Sequence, residues 1–312
     1  MELITAVIET NIWRLLDVLK EATRFLADKQ IENPRLNAEI LLSHILNVKR
    51  IDLYLRFEQP LNQSERQNFK SLLRRRAEGE PLQYILGETE FFSIPFLVSP
   101  HVLIPRPETE LLVESAIETI HKKWDNTPIH CLDIGTGSGN IAIALAKNLK
   151  NVQVTAVDIS EKAIAFAQKN AEKNGVKDRI SFLIADALHS DFVETVSSSF
   201  DIICSNPPYI NSNDLKKLPK EIKNFEPLQA LDGGIDGLKF YQHLMEITPK
   251  LLSDSGTFFV EIGEMQTQAV QNIFSGNRFS IQIKKDLAQK DRLLIGQYKA
   301  RRDTSEIVKE KI

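Results

Sequence analysis

The chain has 312 residues, of which 42% are hydrophobic and 26% charged, with a formal net charge of −3. That length suits about two domains with a substantial buried core, and so small a charge exerts no bulk electrostatic pull on nucleic acid. No apolar run approaches the roughly 20 residues that span a bilayer, and the two cysteines, Cys131 and Cys204, lie in apolar strand patterns, as core residues of a reducing compartment do.

The opening residues include Glu2, Glu9 and Asp17 and no basic start, which is unlike a signal peptide. The expected location is the cytoplasm. Residues 1–80 carry helical periodicity over 3–28, 35–46, a short stretch near 51–56, and 64–78, with Pro34 and Pro60 as punctuation. Ser64 with Gln67 resembles a capping box at the head of the last of these. Arg66, Lys70, Arg74, Arg75 and Arg76 form a basic cluster on it, read as a solvated helix face or as a patch that docks an acidic protein surface. Residues 1–86 are therefore expected to form a small helical bundle. Residues 87–104, with alternating apolar positions and Pro95 and Pro100, read as a β-hairpin linker.

From 105 to 299 strands alternate with helices, the pattern of a doubly wound, mostly parallel sheet. Residues 129–132 form a short apolar strand, followed by Asp133-Ile134-Gly135-Thr136-Gly137-Ser138-Gly139-Asn140 and then a helical run over 141–146. Strand, glycine loop and helix make the nucleotide-binding corner of such a sheet. Glycines let backbone approach a ligand, and the helix N-terminus offers unpaired N–H groups. The spacing departs from the dinucleotide fingerprint, because Asn140 stands where its third glycine would fall. Asp133 is awkward beside a diphosphate and suits a cationic ligand, so S-adenosylmethionine, with its sulfonium and ammonium, fits better than a nicotinamide dinucleotide. The expected cofactor contacts are Asp133, Gly135, Thr136, Gly137, Ser138 and Gly139.

The next strand, 152–157, closes on Asp158, at about the offset where an acidic residue takes ribose hydroxyls. Asp158 with Ser160 is also placed to cap a helix over 161–174. Asp186, after the apolar run 180–185, reads as a neighbour of the adenine or as a turn residue. The apolar run 200–205 then delivers Asn206-Pro207-Pro208-Tyr209 to the mouth of the sheet. Two prolines fix φ and remove two donors, and the residue before each is pushed to extended geometry. The result is a rigid corner with exposed carbonyls, one amide and one aromatic face, able to grip a planar group bearing an NH2. Residues 279–283 and 292–297 read as an antiparallel pair at the sheet edge. The charged tail 300–312 is expected to be mobile or weakly helical. The six histidines lack metal-ligand spacing, and no carboxylate cluster points to a metal.

The motifs DIGTGSGN (133–140), AVDIS (156–160) and NPPYI (206–210), in that order, resemble class I S-adenosylmethionine-dependent methyltransferases. GEPLQYILG (79–87), EFF (90–92), VLIPRPETE (102–110), Glu226-Pro227, ALDGG (230–234) and EIG (261–263) narrow the resemblance to the bacterial peptide chain release factor glutamine methyltransferases. The likeness covers about residues 36–296. The family often has an aromatic residue directly after the position of Asp186, where this chain has Ala187.

The resemblance implies methyl transfer from S-adenosylmethionine to the N5 amide of the glutamine in the Gly-Gly-Gln motif of release factors. Asn206, Pro207 and Tyr209 would be catalytic, Asn206 would also border the cofactor, and Asn206 to Tyr209 would bind substrate. An amide nitrogen is a poor nucleophile, so positioning matters more than a general base. The Asn206 oxygen and the Pro207 carbonyl would accept its two N–H bonds while Tyr209 packs over the amide. Arg106 and Glu108 are expected at the pocket lip or in an ion pair. The residues alone leave other readings open: an N6-adenine methyltransferase on DNA or RNA, a ribosomal-protein glutamine methyltransferase, or a non-catalytic S-adenosylmethionine-binding adaptor. Release factors are the expected partners, with no direct nucleic acid, membrane or metal.

Overall fold

The computed structural model describes residues 13–124, 127–197, 199–275 and 279–298. In chain order the elements are α1 (Leu15–Asp28), α2 (Pro34–Leu46), α3 (Arg50–Tyr54), α4 (Gln63–Ala77), α5 (Leu82–Leu86), β1 (Glu88–Phe91), β2 (Ile94–Leu97), α6 (Glu110–Lys123) and β3 (Ile129–Ile134). Then follow α7 (Asn140–Asn148), β4 (Val152–Asp158), α8 (Glu161–Lys173), β5 (Ile180–Ile184), α9 (Phe192–Val196), β6 (Phe200–Ser205) and α10 (Lys220–Phe225). The last elements are α11 (Lys239–Leu251), β7 (Leu252–Glu261), α12 (Thr267–Ser275), β8 (Phe279–Lys285) and β9 (Asp291–Tyr298). The expected helical stretch 3–12 and the tail 300–312 lie outside the described residues.

These elements divide into two units, one comprising the residues up to Gly87 with Lys220–Phe225, the other Glu88–Pro219 with the residues from Glu226 on. In the first, α1 buries Leu15, Leu19, Ala22 and Leu26, spaced to share one helix face, against Ala38, Leu41, Leu42 and Phe69. The capping box of α4 is not Ser64 with Gln67. It is Asn62 with Glu65, each side chain bonding the other's backbone N–H at 2.9 and 2.8 Å. Asn is as good a cap as Ser, and the helix begins as soon as a competent cap follows Pro60. The basic cluster is also not one solvated face. Arg76 is buried and donates to Asn37 Oδ1, Glu80 O and Glu221 Oε2 at 2.7, 2.8 and 3.0 Å. Arg75 grips Glu80 with two bonds.

The second unit holds a seven-stranded sheet in the order β5-β4-β3-β6-β7-β9-β8. β3 to β7 run parallel, while β9 is antiparallel to both β7 and β8. Helices cover both faces, so the central strands are buried through and read as continuous apolar runs. The chain moves outward from β3 to β5 and then returns to place β6 on the other side of β3. That reversal is a topological switch point, where ligand crevices form at the carboxyl ends of the strands. Both cysteines lie on adjacent central strands, free and buried, with burial pushing their thiol pKa values up.

The β1–β2 hairpin packs on α8 through buried Asn170. Its Oδ1 accepts from Leu97 N at 2.7 Å, and its Nδ2 donates to Leu97 O at 3.0 Å and to Ser138 O at 2.9 Å. One amide thus joins the hairpin, α8 and the loop after β3. Asn170→Ala would strand three backbone groups and is expected to destabilise the fold by about 2–4 kcal/mol, since each buried unpaired group costs about 1–3 kcal/mol and some regain water. Chemical denaturation measures this, and a loss under about 1 kcal/mol would contradict the accounting.

Candidate active site

The loop after β3 is built on three positive φ values, 76° at Gly135, 55° at Gly137 and 84° at Gly139. Gly135 N and Thr136 N both donate to Val157 O at 2.9 Å, which holds the loop against the end of β4. The glycines differ in their surroundings. A Cβ on Gly139 would meet Ile143 Cδ1 at 2.9 Å and Ala167 Cβ at 3.1 Å, whereas one on Gly137 would meet nothing within 4 Å. Gly139 serves helix packing, and Gly137 faces open space of the kind a ligand fills.

Asp133, the last residue but one of β3, is fully buried. Its Oδ2 accepts from Thr136 Oγ1 at 2.6 Å and from Ala142 N at 3.2 Å, and its Oδ1 has no partner among the described residues. Burial pushes its pKa up to about 7, against the bonds from Thr136 and Ala142 and with a smaller push from Asp158. A buried carboxylate with an orphan oxygen suits a cationic ligand. Asp158 accepts from Gly137 N through Oδ2 and from Ser160 N through Oδ1, both at 2.9 Å. A carboxylate has about four acceptor positions, so two hydroxyl donors are still accommodated. Ser160 caps α8 by accepting from Ala163 N at 3.2 Å. Asp186 accepts from Leu188 N at 2.9 Å within its own turn. Exposed Ile159 and Ile184 stand at the ends of β4 and β5, two apolar residues that motif reading passed over.

Asn206 to Tyr209 follow β6, beside β3 in the sheet. Ser205 pairs in register with Ile134, and its hydroxyl donates to Ile134 O at 2.9 Å, pinning the two strand ends together. Asn206 Nδ2 donates to Thr109 Oγ1 at 3.0 Å, and Thr109 Oγ1 donates to Glu261 Oε2 at 2.6 Å. Tyr209 OH donates to Glu261 Oε1 at 3.4 Å. Thr109 and Glu261 are buried, and burial pushes Glu261 up to about 7. The backbone of the corner is also held. Gly233 lies so close that a Cβ there would sit 2.8 Å from Tyr209 Cα and 2.9 Å from Pro208 O, and Gln266 Nε2 donates to Tyr209 O at 2.9 Å. Arg106 pairs with buried Glu226, both carboxylate oxygens within 2.7 Å of Nη2, and not with exposed Glu108. No local pattern marks Thr109, Gly233, Glu261 or Gln266 as site residues. The first three lie in the PRPETE, ALDGG and EIG segments, but only the fold brings those segments to Asn206.

The family description "PrmC N-terminal domain" matches residues 17–87, and "Methyltransferase domain" matches residues 125–297. A release factor glutamine methyltransferase of Chlorobaculum tepidum is 40% identical over 288 residues, covering 91% of this chain and 97% of that one. One of Geobacter sulfurreducens is 44% identical over 269 residues, covering 86% and 91%. This chain belongs to the release factor glutamine methyltransferases. A solved protein-(glutamine-N5) methyltransferase of Alicyclobacillus acidocaldarius is 29% identical, covering 65% of this chain and 100% of that one, with a TM-score of 0.39. The second unit has the class I methyltransferase fold, and the antiparallel pair expected at 279–283 and 292–297 is β8 and β9, with β9 set between β7 and β8. Among the described residues no group of three or more His, Cys, Asp or Glu could hold a metal ion, and no helix is long and apolar enough to cross a membrane.

The two glycines predict separable effects. Gly139→Ala adds overpacking of about 1–3 kcal/mol to the positive-φ cost of about 1–2 kcal/mol, so it should lower thermal stability the more. Gly137→Ala bears only the positive-φ cost, yet it should weaken binding of S-adenosylmethionine at least about 10-fold. Thermal unfolding and calorimetry distinguish them, and equal binding losses would refute the division of roles.

Proposed function

We propose that this enzyme transfers the methyl group of S-adenosylmethionine to the side-chain N5 of the glutamine in the Gly-Gly-Gln motif of peptide chain release factors. The observation that carries the reading is the rigid Asn206–Tyr209 corner set beside the glycine loop, with Asn206 Nδ2 already engaged by Thr109 and Oδ1 left to accept. The names of the relatives supply the substrate class.

In this reading Asp133 holds the cationic end of the cofactor, the backbone at Gly135, Thr136, Gly137, Ser138 and Gly139 cradles it, Asp158 takes the ribose hydroxyls, and Asp186 borders the adenine. Bound S-adenosylmethionine supplies an electrophilic methyl on a sulfonium. Asn206 Oδ1 and Pro207 O accept the two N–H bonds of the substrate amide. Those bonds raise electron density on nitrogen and fix the direction of its lone pair. Pro208 and Tyr209 complete the corner, with Tyr209 bounding the plane of the amide. Orientation of this kind is worth roughly 7–11 kcal/mol. No general base is required before attack: as the N–C bond forms, the methyl's bond to sulfur would break and its electron pair leave with the neutral thioether, and the amide proton, acidic only then, would pass to solvent. Residues 1–86 serve as the substrate-recognition domain, residues 87–104 as the hairpin linker and residues 105–299 as the catalytic domain. The setting is translation termination in the cytoplasm.

Asn206→Ala should retain cofactor binding within about 3-fold yet lose turnover by about 100-fold or more, the scale of removing one preorganised contact. Labelled cofactor, purified release factor and, separately, DNA check the substrate. Label in a Gly-Gly-Gln peptide supports the reading, and label in nucleic acid would replace it.

Asp133 gives a second expectation. With its pKa near 7, it is largely protonated at pH 6, and a cationic ligand favours the charged form. Cofactor binding should therefore release protons at pH 6 and few at pH 8, with affinity rising between them. Calorimetry in buffers of different ionisation enthalpy reads this directly, and a buffer-independent heat at pH 6 counts against Asp133.

A further inference from the structure

An asparagine amide can face a ligand with either end, and its oxygen and NH2 are nearly isosteric, so neighbouring partners decide which end is presented. The role given above to Asn206 requires Oδ1 toward the substrate. With Nδ2 there instead, two donors would meet and the substrate N–H would be repelled.

We infer that Thr109 and Glu261 are positioning residues that lock the Asn206 carboxamide with Oδ1 facing the substrate. The proposal rests on the reading that Asn206 accepts a substrate N–H. An ionised carboxylate accepts and never donates. Glu261 Oε2 lies 2.6 Å from Thr109 Oγ1, short as charge-assisted bonds are, so the single Thr109 hydroxyl proton points at Glu261. The Thr109 oxygen is then left only to accept. The atom that Asn206 turns toward it, at 3.0 Å, must be a donor, which is Nδ2. Thr109 and Glu261 are 1% and 2% exposed, so water does not compete for these bonds.

Three separate elements deliver the relay. Thr109 stands directly before α6, Asn206 follows β6, and Glu261 ends β7, whose Val260 pairs with Ser205. The groups facing Glu261 come from every side. Tyr209 OH donates to Oε1, Tyr241 OH from α11 donates to Glu261 O at 3.1 Å, and Arg292 on β9 and Glu108 before α6 act through charge. Desolvation dominates and holds the group near neutrality. Protonated Glu261 could donate to Thr109, which could then donate to the amide, reversing the relay and presenting the wrong end. Turnover should accordingly fall as pH drops through about 7.

The experiment uses the full chain with labelled cofactor and purified release factor, comparing Thr109→Val, Thr109→Ser, Glu261→Gln and Asn206→Ala. Thr109→Val, nearly isosteric, should lower kcat by about 10- to 100-fold, the scale of a misplaced contact, with cofactor affinity changed less than about 3-fold. Thr109→Ser should restore kcat to within about 3-fold of the natural enzyme. Adding Thr109→Val to Asn206→Ala should cause no further loss, because residues that act through one another are not additive. Glu261→Gln should abolish the acid limb near pH 7. If that variant does not fold, the Thr109 pair and the double variant carry the test. Unchanged kcat in Thr109→Val, failed rescue by serine, or multiplied losses in the double variant would each overturn the relay. Full turnover in Asn206→Ala would instead overturn the reading beneath it, whatever Thr109 does.

Discussion

The reversal of strand order between β3 and β6 is the constraint on which the rest depends. Parallel strands deliver every loop of interest to one edge of the sheet, but only at a switch point do two successive loops turn away from each other and leave a crevice. Here that crevice lies between the glycine loop and the Asn206 corner. The Ser205 bond to Ile134 O keeps the two strand ends from sliding, so the distance between the glycine loop and the Asn206 corner is set by sheet geometry rather than by loop conformation.

Rigidity is distributed unequally around that crevice. The glycine loop needs backbone freedom, which positive φ supplies, and is then fixed from outside by Asp158, Val157 O and Asn170. The Asn206 corner needs the opposite. Its prolines remove freedom in advance, and Gly233 and Gln266 close on it from two further segments. A site that works by orientation gains most from such support, since its acceleration is lost if the amide can turn.

Much of this was legible in the residues because it is local. Strand, glycine loop and helix are contiguous from 129 to 148, and the Asn206 corner directly follows its strand. Periodicity likewise gave α1 to α4 but not the short α5 and α10 of the first unit, and the N-cap of α4 fell two residues earlier than Ser64 because Asn62 competes equally well. What stayed hidden is non-local. Thr109, Asn206 and Glu261 are far apart in the chain and meet only through strand order and register. Arg106 reads naturally with nearby Glu108, yet its partner is buried Glu226. The basic cluster on α4 looked uniform because charge is visible in a sequence and burial is not, yet Arg76 turns inward to Asn37 while Arg75 pairs with Glu80 near the surface.

Asp133 and Glu261 flank the crevice at the ends of β3 and β7, and burial raises both to about 7. A carboxyl whose folded pKa is raised stabilises the fold relatively below its ordinary range and loses that contribution as pH rises toward the folded value. At neutral pH both groups therefore oppose folding, as groups shaped for function commonly do. Their remedies differ. Glu261 draws donors from its own chain, Thr109 and Tyr209, and is complete without a ligand. Asp133 keeps one oxygen without a partner among the described residues, the place we propose for the cationic end of the cofactor. In that proposal one buried acid belongs to the architecture that orients the acceptor, and the other waits for the donor.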